Sequence, residues 1–230
     1  MIIFKCAREI VLDTETTGLN YENKDRIVEI ACVELINHVP TGNTYQTYIN
    51  PQMKMSPEAV AISGITDELL ADKPLFYEIV DDFLNFIGDA RLVIHNAKFD
   101  IGFLNSELNR LNKPPVSLEN TIDTLELARK SFPGMPASLD ALCRRFGIDT
   151  SIRTKHGALV DSQLLADVYI NLLGGRQSGL SFVSEETSSP AEIRSQNCKV
   201  RKIRYFPPSE DEIFLHSEFL KSLNSPLWNE

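Results

Sequence analysis

The sequence predicts an α/β fold, a mixed β-sheet flanked by helices, followed by a flexible C-terminal tail. Three observations lead there. Runs of β-type composition occur at 8–14, 26–36, 44–50, 91–95 and about 119–123. Between and after them lie segments whose apolar residues recur at helical spacing. Beyond Gly174-Gly175 the composition turns polar and core-forming residues thin out.

Each element has a local reason. Ile10-Val11-Leu12 makes 8–14 a buried strand, and Asn37 to Asn43, with Pro40 and Gly42, reads as the hairpin connection between 26–36 and 44–50. Ser56-Pro57-Glu58 starts a short helix, with serine as cap and proline at the first helical position. Lys73-Pro74-Leu75-Phe76 opens a longer one, in which Phe76, Ile79, Val80, Phe83, Leu84 and Ile87 share a face. The short strand 91–95 leads into a helix over 98–111 with Phe99, Phe103, Leu104, Leu108 and Leu111 inward. A strand near 119–123 precedes helices near 124–131 and 138–146, and the last strongly periodic helix covers about 158–173.

The expected organisation is one domain over 1–175, a flexible linker over 176–198 and a tail over 199–230. The tail is too small to form its own core, so it is expected to dock on a partner. It contains the basic alternating stretch Lys199 to Arg204, then Pro207-Pro208. A helix capped by Ser209 follows, with Ile213, Phe214, Leu220 and Leu223 available for burial.

Composition narrows the class. A chain of 230 residues with 43% hydrophobic content suits a globular protein, and no stretch approaches the roughly 20 apolar residues of a membrane span. The first residues lack the pattern of a signal peptide, so a cytoplasmic location is expected. Cys6, Cys32, Cys143 and Cys198 are too scattered for a zinc cluster or a disulfide framework. The net charge of −9 disfavours a free-standing nucleic-acid binder, which would offer phosphates a basic surface.

Five ionisable residues in three segments stand out: Asp13 and Glu15, Asp100, and His156 with Asp161. Asp13 and Glu15 are two apart on a core strand, so both leave one face, with Cα atoms ~6.8 Å apart. Two charges there are costly unless paired or bound to metal. Asp100 falls in the first turn of a helix just after a strand, near His95 and Asn96. His156 and Asp161 bracket the start of the last helix. Singly, each has an ordinary explanation: a solvated strand end, a charge at a helix N-terminus, an exposed loop histidine. Asp123 and Asp140 suit capping or strand-end roles, and Asp167 points away. Together, four carboxylates can hold two hard divalent cations and an imidazole can take a proton from water. That is the equipment for phosphodiester hydrolysis.

The segments Ile10-Val-Leu-Asp-Thr-Glu-Thr-Thr-Gly18, Leu92-Val-Ile-His-Asn-Ala-Lys-Phe-Asp-Ile-Gly-Phe103, Ser138-Leu-Asp-Ala-Leu-Cys143 and Arg153-Thr-Lys-His-Gly-Ala-Leu159 carry a resemblance. Over roughly residues 8–175 the chain resembles the DnaQ-like exonucleases of the DEDDh type, and within them the proofreading branch that serves bacterial DNA polymerase III. The resemblance implies a ribonuclease-H-like fold and 3′→5′ removal of nucleotides from a DNA 3′ end. Asp13, Glu15, Asp100 and Asp161 would be ligands of two divalent cations, Mg²⁺ or Mn²⁺, with Asp13 bridging them and His156 as general base. Asp13, Glu15, Thr16, Thr17, Asn96 and Phe99 would border the substrate. Where the family has His-Gly-Ile this chain has Ser63-Gly64-Ile65, so Ser63 is kept as a contact without any histidine role.

The remainder of the chain suggests partners. Gln177-Ser-Gly-Leu-Ser-Phe182 resembles the box by which replication proteins bind the sliding clamp, with Gln177 at the rim and Leu180 and Phe182 as anchors. The tail resembles the segment that docks on the DNA polymerase III alpha subunit. A small accessory subunit on the nuclease domain stays open, and no membrane is expected. A rival is an RNA-trimming enzyme of the same DEDDh type, and a more distant one is a scaffold that has kept the fold without catalysis.

Overall fold

The computed structural model describes residues 7–23, 25–151, 153, 156–174 and 207–221. The chain divides into two compact units, residues 1–181 and 182–230. The first is built on one five-stranded sheet. Strands β1 (Arg8–Thr16), β2 (Ile27–Ile36), β3 (Val39–Tyr48), β4 (Arg91–Ile94) and β5 (Thr121–Asp123) lie in the order β3-β2-β1-β4-β5. The β1–β2 and β2–β3 pairs are antiparallel, whereas β1–β4 and β4–β5 are parallel.

The β2–β3 hairpin differs from the sequence expectation. Its turn is Asn37 and His38 alone, at φ 51° and 64°, and the chain re-enters the sheet at Val39. Pro40 is tolerated inside β3 because β3 is an edge strand, where a missing N–H breaks no ladder on its outer side.

Helices cover both faces. After the short α1 (Pro57–Ser63) and α2 (Asp67–Leu70), α3 (Phe76–Ile87) and α4 (Ala97–Arg110) bury their apolar residues against one face. Ile10 and Leu12 of β1 point to that face and join Phe83, Phe103 and Leu104 in a single core. The opposite face, with Val11, Val33 and Val93, receives Leu165 and Tyr169 of α7 (Ala158–Leu172). Helices α5 (Thr124–Ser131) and α6 (Leu139–Phe146) then pack on the outer side of α7 through Ala128, Leu142 and Cys143. With a layer on either side, α7 is buried over most of its circumference and keeps only a narrow polar stripe of Gln163, Asp167 and Asn171 in solvent. The caps follow the sequence: Ser56 accepts from the Ala59 N–H at 3.1 Å and Ser138 from that of Ala141 at 3.3 Å. No helix among the described residues is long and apolar enough to cross a membrane.

In the second unit, α8 (Glu210–Lys221) begins with a reciprocal cap. Ser209 accepts from the Glu212 N–H, and the Glu212 carboxylate accepts from the Ser209 N–H at 2.8 Å. Ile213, Phe214, Leu215 and Phe219 of α8 are exposed. Leu223, the linker and the basic stretch lie outside the described residues.

Phe83 is fully buried at the centre of the α3–α4 core. Phe83→Ala should destabilise the domain by about 3–5 kcal/mol in urea unfolding. A loss below about 1 kcal/mol would contradict this packing.

Candidate active site

The site is made by the register of α7 on the sheet. Odd-numbered residues of β1 share a face, which runs from Glu9 and Val11 to Asp13 and Glu15. Across from them in β2 stand Leu35, Val33, Ala31 and Glu29. Three polar contacts fix α7 along this face. The Tyr169 hydroxyl donates to Glu9 at 2.7 Å, Ser162 to the Ala31 carbonyl at 3.3 Å, and the Ala158 N–H to Glu29 at 3.2 Å. Asp161, one residue from Ser162, is thereby set over Asp13 and Glu15. Ligand oxygens of these three carboxylates lie within 4.8 Å of one another.

Asp100 arrives by a different route. Strand β4 ends at Ile94, so β1 beyond Val11 has no strand on that side. The first turn of α4 takes its place. There Asp100, only 3% exposed, accepts from the Thr14 N–H at 3.1 Å and the Thr14 hydroxyl at 2.7 Å. It adjoins the trio, and after burial its charge has the largest effect on Asp13. His156 sits at the rim with its side chain 46% exposed and Nδ1 3.1 Å from Asp161 Oδ2. The backbone N–H of His156 donates to the Ile62 carbonyl at 3.3 Å, which ties that residue, just before α7, to the end of α1.

The electrostatics follow from crowding. Burial, and then the charges of Asp100, Glu15, Asp161 and Glu29, push the Asp13 carboxyl well above the usual range. Burial, then Asp161, Glu29 and Asp100, push Glu15 up to about 8. Burial raises Asp100 to about 7 although the Thr14 hydrogen bonds oppose it. A divalent cation suits this donor set. The oxygens are hard, closely grouped and mutually repelling, and Asp161 Oδ1 is buried without an aligned hydrogen-bond donor.

The other expected contacts are distributed around this centre. Thr16 donates its hydroxyl to the Gly18 carbonyl at 2.6 Å. Thr17 is buried, its hydroxyl donating to Asp25 at 3.2 Å and accepting from the Arg26 N–H at 3.0 Å. A Cβ at Gly18 would lie 2.5 Å from the Asp25 carboxylate, so a larger residue there would displace the side chain that accepts from Thr17 and from the Asn20 N–H. Asn96 is exposed in the left-handed region at φ 66°, and half-buried Phe99 rests on Phe103 with ring centroids 4.9 Å apart. Ser63 uses its hydroxyl locally, donating to the Ala59 carbonyl and accepting from the Ile65 N–H. His95 is held by Thr124 at 2.9 Å, and burial lowers its proton affinity. Asp123 caps two elements, accepting from the N–H groups of Asn96, Ala97 and Leu125. Gln177, Leu180 and Phe182 lie outside the described residues.

Two residues were missed by sequence reasoning. Glu29 faces the site opposite Glu15, accepting from Gln46 Nε2 at 2.7 Å as well as from α7. Its signal was an acidic residue interrupting the apolar run Ile27-Val28-Glu29-Ile30. Arg153 contacts Asp161 and His156, and only its closeness to them in sequence could have drawn notice.

Raised carboxyl affinities mean that the folded state holds more protons than the unfolded one between about pH 4 and the values reached here. Stability should therefore fall as pH rises through that window. In EDTA the Tm should drop between about pH 5 and pH 8.5, and Glu15→Gln should flatten the slope. A Tm that climbs across this range would contradict the arrangement.

A family model described as Exonuclease matches residues 10–169. The chain is 49% identical over 221 residues to the DNA polymerase III subunit epsilon of Rickettsia felis, covering 94% of this chain and 96% of that relative. It is 44% identical to the subunit of the same name from Haemophilus influenzae, covering 96% and 93%. Among solved structures, Exonuclease X in complex with 5′ overhanging duplex DNA matches with a TM-score of 0.55 and 30% identity, over 72% of this chain and 91% of that one. The chain thus belongs to the exonuclease family of the DEDDh type, in the branch formed by the epsilon subunits of DNA polymerase III.

Proposed function

We propose that this chain is the 3′-5′ exonuclease that proofreads for the replicative DNA polymerase, hydrolysing mismatched 3′-terminal nucleotides from DNA. The observation that carries the reading is the convergence of Asp13, Glu15 and Asp161 within 4.8 Å, with Asp100 adjoining and His156 at the rim. Asp13, Glu15, Asp100 and Asp161 would hold two divalent cations, Mg²⁺ or Mn²⁺, which when bound acidify the attacking water and stabilise the leaving oxygen.

The chain's own residues do the rest. His156, open to solvent beside Asp161, takes the proton of the attacking water as general base. Thr16, Thr17, Ser63, Asn96 and Phe99 border the 3′ nucleotide, with the half-buried Phe99 ring offering a face on which its base can stack. Asp13 and Glu15 lie nearest the scissile phosphate. A frayed, mismatched end enters at lower cost because less pairing is lost, so selectivity needs no reading of the base.

The domain of 1–175 is joined by the 176–198 linker to the 199–230 tail, which docks on the polymerase alpha subunit. Residues Gln177, Leu180 and Phe182 engage the sliding clamp, and the protein works in the cytoplasm. Support for the tail comes from α8, whose exposed Ile213, Phe214, Leu215 and Phe219 are apolar side chains available for burial on a partner. A tether of this kind raises the effective concentration of the nuclease at the primer end, which offsets the unfavourable net charge of −9.

On a 3′-mismatched primer the protein should release 5′-mononucleotides, stop on addition of EDTA, and act faster when the polymerase is present. Preference for an RNA substrate would favour the exoribonuclease reading instead. His156→Ala should lower turnover by roughly 10²–10⁴-fold with DNA binding retained, and unchanged turnover would refute its role as base. A peptide spanning 174–185 should bind the clamp in solution, and absence of binding would remove that contact.

A further inference from the structure

Among the described residues, Arg153 is a cation in contact with two of the site residues, and the proposed reaction does not use it. Its side chain is only 8% exposed and lies between acids contributed by two helices. Nη2 donates to Asp161 Oδ2 at 2.8 Å, and Nε lies 2.6 Å from Asp161 Oδ1 as an ion-pair contact without hydrogen-bond alignment. Nη1 pairs with Asp140 of α6, and Nη2 also lies 2.6 Å from His156 Nδ1. A guanidinium only donates, so that contact makes Nδ1 the acceptor. One side chain therefore engages both oxygens of Asp161 and one ring nitrogen of His156.

Those are the atoms the proposed reaction needs. An oxygen of Asp161 turned toward a dication cannot also hold the guanidinium in this geometry, because the two positive charges would share one small, poorly solvated space. The imidazole has the same conflict: with Nδ1 accepting from Arg153, the neutral ring carries its proton on Nε2, so neither nitrogen has a free lone pair for a water proton. Asp140, with a largely exposed side chain, offers Arg153 an anchor outside the site. Arg153 lies outside α7, which Glu29, Ala31 and Glu9 hold to the sheet, so its guanidinium can turn toward Asp140 while Asp161 stays in place.

We propose that Arg153 is a built-in competitor for the cation site: it neutralises Asp161 and occupies His156 Nδ1, and it must withdraw toward Asp140 before either residue can act. The inference rests on the metal-ion reading given above. It makes Arg153 the residue that sets the cation concentration at which the site fills, at the same time as it stabilises the carboxylate cluster.

The test is Mn²⁺ affinity of the full chain, measured by electron paramagnetic resonance of free Mn²⁺, with thermal unfolding in EDTA alongside. Arg153→Gln should bind Mn²⁺ about tenfold more tightly than the parent chain, which corresponds to ~1.4 kcal/mol. It should also melt at a lower temperature in EDTA. Arg153→Lys, which keeps the charge but loses the planar fork, should fall between the two. Equal or weaker Mn²⁺ binding by folded Arg153→Gln would overturn the competition and leave the cation site intact. Failure of the parent chain itself to bind Mn²⁺ would remove the site reading, and this inference with it.

Discussion

Like charges forced together are the constraint on which this structure turns. The face of β1 changes along its length from Val11, under α7, to Asp13 and Glu15, and the pleat gives neither carboxylate an escape to the other side. Glu29 arrives beside Glu15 because the antiparallel register with β2 places it there, and Asp161 arrives because α7 is pinned at Glu29, Ala31 and Glu9. The apolar contacts of Leu165, Ala166 and Tyr169 supply the free energy that holds this crowd in place. Hydrophobic burial here gathers acids into the kind of hard, closely spaced oxygen set that a divalent cation requires.

The same geometry explains why the four carboxylates play unequal parts. Asp13, Glu15 and Asp161 face one another across the sheet–helix interface, whereas Asp100 comes from α4 on the far side. It reaches the site only because β4 stops short and leaves the Thr14 N–H to be satisfied by a carboxylate. Asp100 thus doubles as the partner of an otherwise unpaired strand edge. Its two Thr14 hydrogen bonds hold it in position whether or not it serves as a ligand.

Much of this was legible in the sequence, for physical reasons that can be named. Helices α3, α4 and α7 announced themselves because their buried residues recur at helical spacing over three or more turns, and Ser56 and Ser138 marked starts that local hydrogen bonds then made. The hairpin was misplaced because Pro40 and Gly42 look like turn residues, whereas Asn37 and His38, both tolerant of positive φ, make the actual turn. The pairing of Asp13 with Glu15 on one face was a matter of strand period. Glu29 and Arg153 left only faint local signals, an acid in an apolar run and a closeness in sequence to His156. The reason is that the partner each one meets is set by strand register or by the chain's path before α7.

The central claim is that the acidic cluster exists to bind divalent cations at the convergence of β1, α4 and α7. Anomalous diffraction from crystals soaked in Mn²⁺ tests it most directly. The account predicts strong peaks within coordination distance of Asp13, Glu15 and Asp161, with Asp100 bordering one of them. Peaks confined to other acidic surfaces, with Asp161 still held by Arg153 at saturating Mn²⁺, would contradict it.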